Sequence, residues 1–226
     1  VRGSLISFGR ALPVSDETAV FVEHGNIVLS ENGKRSILLE GSAIELRGEH
    51  HLMNILAACA IAHAAGLSPQ AMQVGVSGFK GVKHRQELVR EHNGVRWVND
   101  SIASAPERTI AALNVFTGPV VLLLGGRDKN LPWDTLAAMI HQRVDHVVIF
   151  GEAADKISAA IASPQAGDRL SSVVIKRDFI EALEESRRIS EPGDVVLLSP
   201  GCTSYDAFKD FEERGETFRN WVNGLP

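Results

Sequence analysis

Residues 195–218, VVLLSPGCTSYDAFKDFEERGETF, decide the fold. The apolar run Val195 to Leu198 has no polar alternation, which suits a strand buried on both faces. It breaks into a small, polar turn from Ser199 to Ser204, and an amphipathic helix is expected from Asp206 to Val222. Along that helix Phe208, Phe211, Gly215, Phe218 and Val222 recur at alternating spacings of three and four, so the Phe211 ring is expected in the core. A turn of this composition offers backbone N–H groups and hydroxyls at a helix N-terminus, an anion-binding arrangement. In a parallel α/β sheet it lies at the carboxyl end of a strand, where ligands bind.

The same grammar repeats upstream. Strands are expected at Val120–Leu124, His146–Phe150 and Ser172–Ile175, and helices at Pro106–Val115, Trp133–Gln142, Ala153–Ala162 and Phe179–Ile189. Strand–helix alternation with right-handed crossovers gives a doubly wound, mostly parallel α/β sheet. Glu87–Glu91 and Val95–Asn99 face each other across Asn93-Gly94, so the sheet opens with a hairpin.

Before residue 84 the pattern differs. Ala19–Val22, Ile27–Leu29 and Ile37–Leu39 read as short strands split by Gly25-Asn26 and Asn32-Gly33. The first 47 residues have no helix of their own and are too few to bury a core, so they read as the trailing meander of a larger domain. Asn32-Gly33-Lys34 is not a phosphate loop, because Arg35 follows the lysine and Val28 stands where the first glycine belongs. Gly48–Gly66 reads as a helix with Leu52, Ile55, Leu56, Cys59 and Ala62 on one face, and Ser68-Pro69 opens a second helix to about Val76. The domain boundary falls near residue 84, after the linker Gly78–Lys83.

The 226 residues carry a net charge of −5, with 44% hydrophobic and 23% charged residues. That balance, with a pI near 5.9, suits a soluble globular chain and gives no basic surface for nucleic acid or anionic lipid. No apolar run approaches the roughly 20 residues needed to cross a bilayer. Cys59 and Cys202 are the two cysteines and lie far apart, which argues against a disulfide framework and for a reducing cytoplasm. Cys202 reads as a small turn residue, since no base stands at a suggestive spacing. The opening VRGSLISFGR has neither an initiator Met nor a signal peptide's apolar core, and is expected to be cut from a longer protein.

Three polar segments end strands and should gather on one edge: Asn99 to Ser104, Gly125 to Asn130, and Ser199 to Ser204. Singly each has a plain reading: Asp100 as a turn cap, Ser104 with Glu107 as a capping pair, Lys129 as a solvated charge. Together they bring an aspartate, a lysine and several hydroxyls to the ligand edge, a set suited to an anionic substrate.

In order along the chain stand GEHHLMN at 48–54, GVKHRQE at 81–87, NDSIAS at 99–104, GGRDK at 125–129 and the closing SPGCTS with its Phe-bearing helix. This succession resembles the Mur ligase family, in the branch that joins glutamate to UDP-N-acetylmuramoyl-L-alanine in peptidoglycan synthesis. The resemblance implies that 1–83 is the C-terminal part of an ATP-binding central domain and 84–226 a Rossmann-like, glutamate-binding C-terminal domain. It implies ATP binding by Asn54 beside the adenine, Arg85 near the ribose and phosphates, and Asp100 on the ribose hydroxyls. Ser104, Lys129, Ser204 and the backbone around Tyr205 and Phe211 would receive the glutamate carboxylates. ATP would phosphorylate the terminal alanine carboxylate, and the glutamate amine would attack the acyl phosphate. The phosphate loop, the Mg2+ ligands and the family's carbamylated lysine would lie outside these residues, so the chain alone is expected to hold no metal and to be inactive. A cytoplasmic bacterial monomer is implied.

Two positions depart from the family pattern. Ile102 stands where a lysine is usual, and His51 where an asparagine is usual. Ile102 leaves open a change of glutamate stereochemistry, and it favours the alternative of a non-catalytic α/β module that binds a small acid or a protein. Retention of Arg85, Asp100 and Lys129 favours the enzyme. A third reading, a dinucleotide oxidoreductase, is disfavoured, because Gly125-Gly126 is followed by charge and not by spaced glycines. His84, a lone histidine, reads as structural.

Overall fold

The computed structural model describes residues 5–11, 18–44, 49–79 and 81–226. Two compact units divide the chain, residues 1–81 and 82–226.

The first unit is built on β1 (Ile6–Gly9), β2 (Thr18–Glu23), β3 (Asn26–Glu31) and β4 (Lys34–Leu39), hydrogen-bonded in that order. Both hairpin turns place two consecutive residues at positive φ, His24-Gly25 at 50° and 79° and Asn32-Gly33 at 50° and 72°. These are type I′ turns, whose twist matches the flanking strands. The first turn therefore sits one residue earlier than Gly25-Asn26, because Glu23 pairs with Asn26. β1 runs parallel to β2, so the sheet is not a simple meander.

After a 3-10 turn at Gly41–Ala43 come α1 (Glu49–Ala64) and α2 (Pro69–Val76). Gly48 lies outside the described residues. α1 stops at a Schellman motif: Gly66, at φ 79°, donates to His63 O, and Leu67 N–H reaches back to Ala62 O. Ser68 caps α2 by accepting from Ala71 N–H. The helices supply what the strands lack, and Leu56, Cys59 and Met72 close a core over Val20, Ile27, Leu29 and Leu39.

The second unit opens with the antiparallel hairpin β5 (Glu87–His92) and β6 (Val95–Asn99). Then follow α3 (Pro106–Leu113), β7 (Val120–Gly125), α4 (Asp134–Arg143), β8 (His146–Phe150), α5 (Ala154–Ile161), β9 (Ser172–Ile175), α6 (Phe179–Ile189), β10 (Val195–Gly201) and α7 (Phe211–Asn223). The sheet order is β5-β6-β10-β7-β8-β9, with every pairing after the hairpin parallel. It is the doubly wound, mostly parallel α/β sheet that the sequence predicts.

All six residues of β7 and all seven of β10 are buried. Leu122, Leu124, Val147, Ile149 and Leu197 face α3, α4 and α5, while Val121, Leu123, Val148, Val196 and Leu198 face α6 and α7. Each fully buried leucine contributes about 2 kcal/mol of transfer free energy, enough in sum to hold both layers on the sheet. The chain steps outward from β6 to β9 and then returns to insert β10 between β6 and β7. A right-handed crossover puts helices on the opposite face when the direction reverses, so α6 and α7 lie across from α3 to α5. That reversal opens a crevice at the carboxyl ends of β6, β10 and β7.

One element begins later than the sequence suggests. Asp206–Asp210 is not helical, and α7 starts at Phe211, where the Asp210 side chain accepts from Glu213 N–H. Ala207 and Phe208 N–H groups both turn back to Ser204 O, and Asp206 Oδ2 is engaged by Glu152 N–H at 3.0 Å. The segment thus makes a single turn onto Ser204 O, pinned through Asp206 to Glu152, and the continuous helix begins only at the Asp210 cap.

Candidate functional site

Because β6, β10 and β7 are adjacent and parallel, their following loops share one rim. The loops are also laced together. Gly201 N–H donates to Ala103 O at 2.8 Å, tying the third segment to the first. Arg127 and Thr203 exchange backbone bonds of 2.9 and 3.0 Å, tying the second to the third. The N–H groups of Gly201 and Thr203 are therefore engaged inside the rim. Ser199–Ser204 is not the exposed, helix-capping turn read from its composition, since Asp206–Asp210 separates it from α7.

Two glycines permit this close approach. A Cβ on Gly125, at φ 145°, would lie 2.0 Å from Phe150 O. One on Gly126, at φ 125°, would lie 2.1 Å from Thr203 O. The Gly-Gly pair thus lets β7 leave the sheet under its neighbours and carry Lys129 onto the rim.

Lys129 Nζ donates to Ser104 Oγ at 3.2 Å, so these two predicted residues meet. Lys129 makes no ion pair among the described residues and remains exposed. Ser204 is buried and in hydrogen-bond contact with neither, Tyr205 is 62% exposed, and both stand on the loop joined to Arg127. Phe211 is half-buried and outside the core, contrary to the spacing argument; its ring meets His84 edge-on at 6.2 Å. Helix onset at 211 explains this, because the residue lies in the first turn at the rim. Its carbonyl accepts from Ser101 Oγ at 2.8 Å.

Beside this group lies a small cavity walled by Arg85, Gln86, Asp100, Ile102 and Arg108. The Asp100 carboxyl is 4% exposed; Oδ1 accepts from Gln86 N–H at 3.1 Å and Oδ2 from Ser199 Oγ at 2.9 Å. Burial pushes its pKa up to about 7, against the opposing pull of those bonds and of Arg85 and Arg108. His84 and Gln86 both hold positive φ, 61° and 48°, a strained backbone that presents Arg85 to this cavity. Ile102 also walls a neighbouring cavity of about 290 Å³ with Lys83, His84, Phe211, Glu212 and Glu216.

His84 is buried and structural, as read. Burial, with the Arg219 charge adding, lowers its pKa, so Nδ1 is free to accept from Asn99 Nδ2 at 3.0 Å. Gly215 is obligatory opposite it, since a Cβ there would come within 2.2 Å of Nδ1. Cys202 is fully buried, and burial pushes its thiol up to about 12, which leaves it unreactive at neutral pH.

Asn54 is exposed on α1, in the other unit. Two residues escaped the sequence reading. Arg108 shares the Asp100 cavity, and Arg214 lies wholly buried beneath the rim. Arg214 stands three residues after Phe211 and four before Phe218, so the apolar stripe itself marked it as facing inward.

The arrangement can do two things chemically. Lys129 with Ser104 offers a cation and a hydroxyl to a carboxylate. Arg85 and Arg108 around a buried carboxyl suit a phosphate beside hydroxyl groups, as a nucleotide has. Among the described residues no group of three or more His, Cys, Asp or Glu could hold a metal ion. No helix of the described residues is long and apolar enough to cross a membrane.

A family model described as "Mur ligase, glutamate ligase domain" matches residues 84–202, more than half of the chain. The chain is 36% identical over 224 residues to the UDP-N-acetylmuramoylalanine--D-glutamate ligase of Symbiobacterium thermophilum, covering 99% of this chain and 49% of that protein. It is 41% identical over 223 residues to the ligase of the same name from Roseiflexus sp., covering 98% and 46%. The chain therefore spans about half the length of the curated relatives it matches. Among solved structures, E. coli FolC in complex with ADP aligns at TM-score 0.62 and 15% identity over 91% of this chain and 46% of that one. MurF from Acinetobacter baumannii aligns at TM-score 0.57 and 20% identity over 95% and 46%. At such identities these two speak to the fold alone.

Proposed function

The chain belongs to the Mur ligase family, and from that premise we propose that it is part of an ATP-dependent ligase that adds glutamate to UDP-N-acetylmuramoyl-L-alanine. The observation that carries the reading is the contact of Lys129 Nζ with Ser104 Oγ on a rim built by three strand ends. A lysine with no carboxylate partner among the described residues, held against a hydroxyl, is what a diacid's carboxylate needs. In this reading Ser204 and the backbone around Tyr205 and Phe211 complete the glutamate site. Arg85 and Asp100 hold the ribose and phosphates of ATP, with Arg108 beside them, and Asn54 serves the adenine.

ATP supplies the activated acyl phosphate that the glutamate amine attacks. The chain's own residues position and stabilise charge: Lys129 and Ser104 orient glutamate, while Arg85 and Arg108 offset charge on the phosphates. In this reading Mg2+ and the phosphate loop belong to the half of the ligase outside these residues. The chain alone is accordingly inactive.

Phosphate release tests this. The intact ligase should release phosphate only with ATP, glutamate and UDP-N-acetylmuramoyl-L-alanine all present, and residues 1–226 alone should release none. Lys129→Ala should raise the glutamate KM by about tenfold or more, the worth of one charge-assisted hydrogen bond. An unchanged glutamate KM overturns the carboxylate assignment.

A further inference from the structure

Arg214 is fully buried, yet among the described residues it forms no ion pair. Its guanidinium instead donates to neutral acceptors drawn from all three rim loops. Nε reaches Ser101 Oγ at 3.0 Å and Nη2 reaches Ser101 O at 2.9 Å, in the loop after β6. Nη2 also reaches Cys202 O at 3.2 Å, after β10, and Nη1 reaches Gly125 O at 3.5 Å, at the end of β7. Asp206, whose charge acts on it, has Oδ2 engaged by Glu152 N–H. A buried cation with no carboxylate in direct contact is costly, and the Asp206 charge offsets only part of that cost. Loops could be tied by neutral side chains, so the charge itself calls for an explanation. Gly126, on the loop that carries Lys129, passes directly over it: a Cβ there would lie 3.0 Å from Nη1.

We infer that Arg214 is the positioning residue of the amino-acid site, its planar fork fixing the three loops while its only partly offset charge underlies the pocket that takes the carboxylates. This rests on the reading of the rim as the glutamate site. Only arginine offers rigid donors in several directions at once, so lysine keeps the charge but loses the fork. Methionine keeps volume and loses both.

Steady-state kinetics of the intact ligase carrying Arg214→Met or Arg214→Lys separate the possibilities. The Met variant should raise the glutamate KM by about tenfold or more while the ATP KM stays within about threefold, and the Lys variant should recover part of that loss. A general loosening of the fold would instead lower kcat and shift both KM values together, and that result overturns the inference, as does an unchanged glutamate KM. If the Met variant does not fold, the Lys variant decides: a glutamate KM raised selectively over that of ATP supports the inference, and equal shifts or none overturn it. Wild-type ligase with no glutamate-dependent phosphate release would sink the ligase reading and this inference with it. An active wild type with indifferent variants would sink this inference alone.

Discussion

Gly126→Ala is expected to lower the stability of the 82–226 unit by at least about 3 kcal/mol and to abolish ligation in the intact enzyme. The backbone at 126 holds φ 125°, a region L side chains rarely adopt, and the new Cβ would sit 2.1 Å from Thr203 O. Neither the carbonyl nor the loop can yield cheaply. Thr203 is locked to Arg127 by two backbone bonds, and its Oγ1 donates a third to Arg127 O at 3.0 Å. Relief would separate the ends of β7 and β10, expose the Arg214 guanidinium and detach Lys129 from Ser104. A unit of this size should lose about 10 °C in its unfolding midpoint, measured by calorimetry. A midpoint within about 2 °C of wild type would show that the rim is not closed as described.

Asp100→Asn should move stability and activity in opposite directions. The Asp100 pKa rises from an ordinary 3.8 to about 7 on folding. Between those values the folded protein holds a proton that the unfolded chain has released, so stability falls as pH rises from about 4 through about 7 and then levels. At roughly 1.4 kcal/mol per unit, the loss approaches about 4 kcal/mol as an upper bound. Asparagine carries no charge at any pH and can still accept from Gln86 N–H. The variant should therefore match wild type near pH 5 and exceed it by several degrees in unfolding midpoint at pH 8. Ligase activity should fall about 10- to 100-fold, because a neutral amide replaces a charged acceptor for the nucleotide hydroxyls. Equal midpoints at pH 8 would mean that Asp100 is not buried as a charge.

Most of the sheet was legible in the sequence because its strands are apolar runs bounded by turns. His146–Phe150, Ser172–Ile175 and Phe179–Ile189 appear with the expected limits. β1 was missed because four residues in parallel pairing leave no hairpin signal. The start of α7 was misread because Asp206–Asp210 has helical spacing, while the Glu152 N–H that holds Asp206 is 54 residues away in sequence and visible only in three dimensions. For the rim, composition identified the three loops but misjudged their backbone, whose N–H groups bind one another. Lys129 and Ser104 were legible as types suited to a carboxylate. Arg108 was not, since a charged helical residue is ordinarily solvated; Arg214 carried a positional signal, its place between Phe211 and Phe218, that its charge outweighed.

The most direct test is the distance from Lys129 Nζ to glutamate in a crystal structure of the intact ligase with glutamate and an ATP analogue. A carboxylate oxygen should lie about 2.7–2.9 Å from Nζ, the range of a charge-assisted bond. Glutamate bound with both carboxylates beyond about 6 Å, farther than one bridging water spans, would contradict the account.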